Sequence, residues 1–158
     1  MFGLFKAKKQ IIVSPVDGDV LELESVPDEV FSTKMAGEGM AIIPRSNTFV
    51  APISGIVSKI FGTNHAFSIQ AKNGLEVLVH IGLDTVALKG EGFKRLVKEG
   101  TNVLVGKPII YADLEFIQSK GKEIITPIVI NHEKEIILES HKVGTIREGE
   151  TFIEVNFK

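Results

Sequence analysis

The sequence predicts an all-β protein, an antiparallel β-sandwich or barrel-sandwich hybrid with a duplicated half and a few short helical turns. Short runs of β-branched residues recur along the chain, and Gly, Pro, Asp and Asn interrupt them at short intervals. Helical spacing is scarce: Phe93 with Leu96 and Val97, and Leu114 with Ile117, could each form about one turn. Many short strands separated by turns are typical of sandwiches and barrels.

The predicted strands are spread over the whole chain. They cover residues 11–13, 20–23, 40–43, 56–57, 109–111, 124–130, 135–138 and 152–157, and two further runs of β-formers flank the pair Asn73-Gly74. Residues 1–10 are expected to be a flexible N-terminal tail, followed by a single domain over residues 11–158. The starting methionine and the basic tail favour a free-standing protein.

Two segments of the sequence resemble each other. Residues 14–20 (Ser-Pro-Val-Asp-Gly-Asp-Val) and residues 51–57 (Ala-Pro-Ile-Ser-Gly-Ile-Val) share the pattern small-Pro-apolar-x-Gly-x-Val. Proline restricts φ and glycine permits a bend, so each copy is expected to open an equivalent strand. This favours an internal duplication.

The Asn73-Gly74 pair predicts a β-hairpin that brings two histidines together. A two-residue type I′ turn at these residues would pair Phe67 with His80. His65 would then share a face with Phe67 and lie diagonally opposite His80, roughly 7–8 Å away at the backbone. A three-residue loop with a bulge would instead shift the pairing by one and send one histidine to the opposite face.

Composition and motifs exclude several classes of function. The chain has 158 residues, a net charge of −2 and no cysteine, so no basic field favours nucleic acid, and disulfides and cysteine nucleophiles are excluded. No segment approaches the ~20 apolar residues that span a bilayer. Residues 100–107 only partly resemble a phosphate loop, because Pro108 stands where Ser or Thr would bind magnesium.

The histidine pair leaves three classes of function open when the residues are considered alone. A metallohydrolase would need a third ligand, which Asp84 could supply. A swinging-arm carrier would need a lysine at a hairpin tip, but the residues around Lys34 lack the methionine before the lysine that biotinyl hairpins carry. A phosphoryl carrier would use one histidine as nucleophile and the other as stabiliser. His132 and His141 lie in polar contexts and are interpreted as surface residues.

Several motifs resemble one known family, the IIA domain of the glucose class of the bacterial phosphoenolpyruvate-dependent sugar phosphotransferase system. The similarity extends through nearly the whole chain and is most specific at the two histidine motifs. The matching motifs are Ser14-Pro15-x-x-Gly18, Val26-Pro27-Asp28, Val30-Phe31, Gly37-x-Gly39-x-Ala41-Ile42, Ala51-Pro52-x-x-Gly55, Thr63-x-His65-Ala66-Phe67, residues 79–86 (Val-His-Ile-Gly-Leu-Asp-Thr-Val) and Leu88-x-Gly90-x-Gly92-Phe93.

The resemblance implies a phosphocarrier. His80 would accept the phosphoryl group on Nε2 from phospho-HPr and pass it to a cysteine of a IIB domain, while His65 steadies the group without being modified. Thr63 would form a hydrogen bond within the site, and the Gly82 carbonyl would hold the other ring nitrogen of His80. A protonated His65, or donors around it, are expected to stabilise the phosphoryl charge.

The resemblance also implies a docking surface around the histidines. An apolar ring would exclude water from the phosphoryl group and contact the partners, and two carboxylates would lie at its rim and face basic groups of those partners. The ring comprises Phe31, Val30, Phe61, Leu78 and Val86, and the carboxylates are Asp28 and Asp84.

Further expectations concern the setting of the protein. A cytoplasmic location, peripheral contact with a membrane permease and no contact with nucleic acid are expected. No cofactor is required, although relatives that bind permeases or metabolic enzymes can share zinc between the two histidines and a partner carboxylate. His65 and His80 would be the zinc ligands here. Such regulatory targets are further expected partners.

Overall fold

The computed structural model describes residues 9–141 and 143–158. The tail predicted over residues 1–10 lies mostly outside the described residues, and the first strand begins at Lys9. The strands are β1 (Lys9–Val13), β2 (Gly18–Glu22), β3 (Glu38–Pro44), β4 (Thr48–Val50), β5 (Gly55–Ile60), β6 (Ala66–Gln70), β7 (Glu76–His80), β8 (Phe93–Arg95), β9 (Asn102–Val103), β10 (Pro108–Ala112), β11 (Thr126–Asn131), β12 (Ile136–Ser140), β13 (Gly144–Ile146) and β14 (Thr151–Phe157).

Helical structure is limited to short pieces within the described residues. The α-helices are α1 (Glu29–Ser32) and α2 (Leu114–Ser119), and 3-10 helices cover Leu23–Ser25 and Thr85–Leu88. The helical turn predicted at Leu114 and Ile117 is confirmed, whereas the one predicted at Phe93 is wrong because Phe93 begins β8. No helix in the described part of the chain is long and apolar enough to cross a membrane.

The strands form a β-sandwich, as predicted. One sheet has eight strands in the order β13-β2-β3-β11-β7-β6-β5-β9, and two three-stranded sheets have the orders β1-β14-β12 and β4-β10-β8. The pairings between the named strands are antiparallel. The central pair, β11 and β7, has three strands on either side, which places the strand with His80 in the interior of the large sheet.

The two similar sequence segments open strands in mirrored positions. Gly18 begins β2 and Gly55 begins β5, and each of these strands is second from one edge of the eight-stranded sheet. A Cβ at Gly18 would lie 2.2 Å from the Ile43 carbonyl oxygen, and one at Gly55 would lie 2.2 Å from the Gln70 carbonyl oxygen. Glycine is therefore required for close approach of neighbouring backbone rather than for a bend.

Buried apolar side chains form two cores within the described residues. The larger includes Phe49, Phe67 and Phe152, all fully buried. A smaller core lies beneath α1 and the 3-10 helix Leu23–Ser25. Its buried members are Leu23, Val26, Phe31, Ala41, Leu83 and Val129, and Leu78 packs against them. This second core supports the elements that surround the two histidines.

The hairpin between β6 and β7 differs from the predicted register by one residue. Ala66, rather than Phe67, lies opposite His80. The Ala71 amide donates to the Leu75 carbonyl at 2.8 Å, which leaves a three-residue loop, and in this loop Gly74 has positive φ whereas Asn73 does not. A type I′ turn needs positive φ at both central residues, so the hairpin adopts the three-residue bulged alternative.

Candidate functional site

The rings of His65 and His80 meet despite the shifted register. Their centroids are 5.0 Å apart and their planes are inclined by 81°. His65 lies one residue before β6 and follows Asn64, whose φ is 59°, while His80 is the last residue of β7. Side-chain alternation applies to regular strands, so it does not fix the direction of a histidine beside a left-handed residue. The predicted convergence of the two rings is confirmed, and the register argument behind it is wrong.

A backbone carbonyl sets the protonation of the His80 ring. The Gly82 carbonyl oxygen lies 2.8 Å from Nδ1 of His80. A carbonyl can only accept a hydrogen bond, so Nδ1 carries the proton and Nε2 keeps its lone pair in the neutral ring. Gly82 itself has a φ of 75° and is buried, which turns the chain back toward the ring directly after β7.

The second histidine is held by a hydroxyl. Thr63 Oγ1 lies 2.5 Å from Nδ1 of His65, whose side chain is buried with 4% exposure. When the Thr63 hydroxyl donates this bond, the proton of a neutral His65 ring is on Nε2. His65 is then a hydrogen-bond donor on the side opposite Thr63.

Burial keeps both rings neutral at neutral pH. Loss of hydration, with a smaller contribution from the charge of His80, lowers the pKa of His65 from 6.5 to about 4. Burial also lowers the pKa of His80, and the Gly82 carbonyl and the Asp28 carboxylate partly oppose that change. The protonated His65 that is one of the two expected stabilisers is therefore not the form present at neutral pH in the unphosphorylated site.

Aromatic side chains flank the pair on both sides. The Phe31 ring lies 5.1 Å from the His80 ring, and the Phe61 ring lies 5.4 Å from the His65 ring in an edge-to-face arrangement. Phe31 is buried in the second core, while Phe61 is half-buried. These two rings restrict water access to the imidazoles and help to lower their pKa values.

The remaining members of the predicted apolar ring differ in exposure. Val30 and Val86 are exposed at 47% and 52%, and neither contributes to the cores. Leu78 is half-buried and packs against the second core, so its side chain also has a structural role. Val30 directly precedes Phe31, and Val86 follows Gly82 by four residues, so both exposed valines lie on segments that carry residues of the site.

A family model matches most of this chain. The model of the phosphoenolpyruvate-dependent sugar phosphotransferase system, EIIA 1, matches residues 10–136. The chain belongs to the EIIA 1 family.

Relatives of the EIIA 1 family include both separate components and parts of longer chains. The glucose-specific EIIA component of Buchnera aphidicola is 46% identical over 149 residues, which cover 94% of this chain and 92% of that protein. The N-acetylglucosamine-specific EIICBA component of Klebsiella pneumoniae is 50% identical over 84% of this chain, but this chain spans 21% of its length. The glucose permease IIA from Mycoplasma capricolum superposes with a TM-score of 0.89 at 40% identity, over 93% of this chain and 96% of that one.

The two carboxylates predicted at the rim of this EIIA 1 site have partners within the chain. Asp28 caps α1, and its Oδ1 accepts a hydrogen bond from the Val30 amide at 2.9 Å. Asp84, which has a φ of 56°, forms an ion pair with Lys122 at 2.6 Å and remains 68% exposed. Both side chains lie near the surface, and Asp84 faces a cation of its own chain.

A third ligand for a hydrolytic metal is missing from the described residues. No group of three or more His, Cys, Asp or Glu side chains within residues 9–141 and 143–158 could hold a metal ion. Asp84, considered as that ligand, is instead engaged by Lys122. The Nδ1 atoms of His65 and His80 are used by Thr63 and Gly82, so their Nε2 atoms remain as the ligand positions.

Sequence reasoning missed two kinds of contact. His132, interpreted as a surface residue, is half-buried; it accepts a hydrogen bond from the Lys134 amide and contacts the Asn73 carbonyl, and neither contact was predicted. Thr85 and Lys122 support the turn after His80, but they are far from each other in the sequence. Thr85 lies within the matching motif over residues 79–86, which could have indicated its role, whereas no sequence pattern indicates a role for Lys122.

Proposed function

We propose that this protein is a phosphocarrier of the sugar phosphotransferase system, with His80 as the phosphoryl acceptor. The observation that carries the proposal is the Nδ1–Gly82 hydrogen bond, which leaves Nε2 unprotonated beside a second imidazole. An unprotonated imidazole nitrogen is a nucleophile at neutral pH. The donor is phospho-HPr and the acceptor is a cysteine of a IIB domain; this chain has no cysteine of its own.

Transfer proceeds in two displacement steps. The Nε2 lone pair of His80 attacks the phosphorus of the donor phosphohistidine, the new N–P bond forms, and the donor nitrogen retains the electron pair of the broken bond. The thiolate of the IIB cysteine then attacks the same phosphorus, and the N–P bond to His80 breaks. His80 recovers its lone pair, so the chain returns to its starting state.

His65 and Thr63 stabilise the phosphoryl group without bonding to phosphorus. The group brings about −1.5 to −2 charges to the site. With Nδ1 of His65 accepting from Thr63, the Nε2–H of His65 donates to a phosphoryl oxygen. The hydrogen bond to a charged oxygen is stronger than one between neutral groups, and the buried surroundings strengthen it further.

The apolar surface serves as the docking site for both partners. Val30 and Val86 are exposed on the segments that carry Phe31 and Gly82, and Phe31 and Phe61 contact the histidine rings. One small surface suits successive contacts with HPr and IIB, because each complex must dissociate after transfer. We place the protein in the cytoplasm, in peripheral contact with a sugar permease.

No cofactor is needed for this chemistry. In a complex with a regulatory partner, His65 and His80 can each supply Nε2 as a ligand to zinc, and the partner would complete the tetrahedral set. For His65 this requires the other neutral tautomer, in which Nδ1–H donates to Thr63 Oγ1 and Nε2 has the lone pair. Zinc there would act as a bridge between the two proteins. Unphosphorylated protein would be required, since phosphorylation occupies Nε2 of His80.

Phosphorylation with phosphoenolpyruvate, enzyme I and HPr tests the proposal. His80→Gln should abolish labelling, while His65→Gln should accept the phosphoryl group and pass it to IIB poorly. His132→Gln is the matched control, since it alters a histidine outside the site and should be labelled like the wild type. Labelling that persists in His80→Gln would refute the assignment.

A further inference from the structure

The turn that presents the Gly82 carbonyl is held by a buried threonine. Thr85 is fully buried, and its Oγ1 donates a hydrogen bond of 2.6 Å to the Ile81 carbonyl oxygen. Ile81 precedes Gly82, so this bond fixes the peptide plane that joins the two residues. The hydroxyl therefore acts one peptide bond away from the carbonyl that contacts His80.

The methyl group of Thr85 confines Gly82 from a second direction. A Cβ at Gly82 would lie 2.6 Å from Cγ2 of Thr85, so this methyl packs directly against the glycine backbone. On the other side of Gly82, the Leu83 amide donates to the Glu123 carbonyl at 3.0 Å. Gly82 thus lies between two hydrogen-bonded backbone groups, the Ile81 carbonyl before it and the Leu83 amide after it.

We infer that Thr85 is a positioning residue for phosphoryl transfer. Thr85 directs the Gly82 carbonyl toward Nδ1 of His80 and so selects the ring tautomer in which Nε2 is unprotonated. The inference rests on the proposed function for its role in transfer, although the tautomer itself can be measured without it. Thr85 does not contact the reacting atoms. Its effect passes through the Ile81–Gly82 peptide to the histidine ring.

Two substitutions separate the hydroxyl from the methyl. Thr85→Val keeps the shape and removes the hydrogen bond, whereas Thr85→Ser keeps the hydroxyl and removes the methyl. The matched control is Ser14→Ala, because Ser14 is also fully buried and its hydroxyl also donates at 2.6 Å to a carbonyl, that of Val16. Ser14 lies outside the histidine site.

Nitrogen-15 NMR of the imidazole rings gives the decisive readout. The wild type, Thr85→Ser and Ser14→Ala should show His80 with its proton on Nδ1, and Thr85→Val should show a mixture with the proton on Nε2. The rate of phosphorylation by phospho-HPr should fall about tenfold in Thr85→Val, as expected for loss of one buried hydrogen bond. Thr85→Ala provides the same test if the valine variant does not fold.

Two results would overturn the inference. The first is that Thr85→Val shows the same His80 tautomer as the wild type. If Thr85→Val does not fold, the same result in Thr85→Ala would overturn the inference. The other is an equal change in Ser14→Ala, which would indicate general loosening of the fold. Failure of the wild type to accept phosphate from HPr would instead refute the proposed function, because the tautomer is measured on unphosphorylated protein.

Discussion

Replacing Gly82 with alanine is expected to destabilise the fold by straining the turn after His80. Gly82 has a φ of 75°, and a Cβ there would lie 2.6 Å from Thr85 Cγ2 and 2.7 Å from the Glu123 carbonyl oxygen. A left-handed backbone costs an L-residue about 1–2 kcal/mol, and overpacking costs about 1–3 kcal/mol. The free energy of unfolding should therefore fall by about 2–5 kcal/mol.

Gly100→Ala isolates the backbone contribution. Gly100 has a φ of 89°, and a Cβ there would meet no atom within 4 Å, so this variant should lose only about 1–2 kcal/mol. The chain has no Trp and one Tyr, which makes far-UV circular dichroism the suitable probe for urea unfolding of both variants. If Gly82→Ala is no less stable than Gly100→Ala, then Thr85 and Glu123 do not confine the turn, and the steric reasoning fails.

Three other perturbations test the pKa of His65, the docking surface and the contacts of His132. The native His65 ring has a pKa of about 4, so as pH falls from 6.5 to 4 His65 binds a proton in the unfolded chain more readily than in the folded protein. The free energy of unfolding of the wild type, measured in urea titrations, should therefore fall by about 3 kcal/mol relative to that of His65→Gln. A difference that stays constant with pH would contradict the lowered pKa. Val86→Asp should slow phosphorylation by HPr about tenfold. The control Leu104→Asp, at an exposed apolar residue after β9, should be phosphorylated at the wild-type rate, and equal rates for the two variants would argue against the docking surface. His132→Ala should lose about 1–2 kcal/mol of unfolding free energy by circular dichroism, with unchanged phosphorylation, because its hydrogen bonds join two loops outside the site; slower phosphorylation would contradict that separation.

The sequence predicts the β-sandwich because its strand pattern recurs along the chain. It also predicts that the two histidines meet, although through a register that the structure does not adopt. Alternating β-formers and turn residues indicate the strands, and the repeated segment places two of them correctly at Gly18 and Gly55. The pairing across Asn73-Gly74 could not be fixed in the same way. Asn-Gly is compatible with both a two-residue and a three-residue loop, and in the observed three-residue loop Asn73 contacts His132, which lies 59 positions later in the chain.

Long-range contacts explain the other differences. Phe93 has a spacing compatible with a helix, yet it pairs with Ala112 in β10, which lies 19 positions later in the chain. Lys122 meets Asp84 across a separation of 38 residues, and no local pattern specifies that ion pair. The buried setting that lowers the pKa of His65 likewise depends on tertiary packing, which charge counting in the sequence does not contain.

The location of His80 at the end of β7, next to the centre of the eight-stranded sheet, has a consequence for exchange with solvent. Strands bonded on both sides open only through large-scale unfolding, so the amides of β7 should be among the slowest in the protein to exchange hydrogen for deuterium. A rigid acceptor needs no reorganisation before each encounter. The time between successive transfers would then depend on diffusion of the partners and not on a conformational change of the carrier.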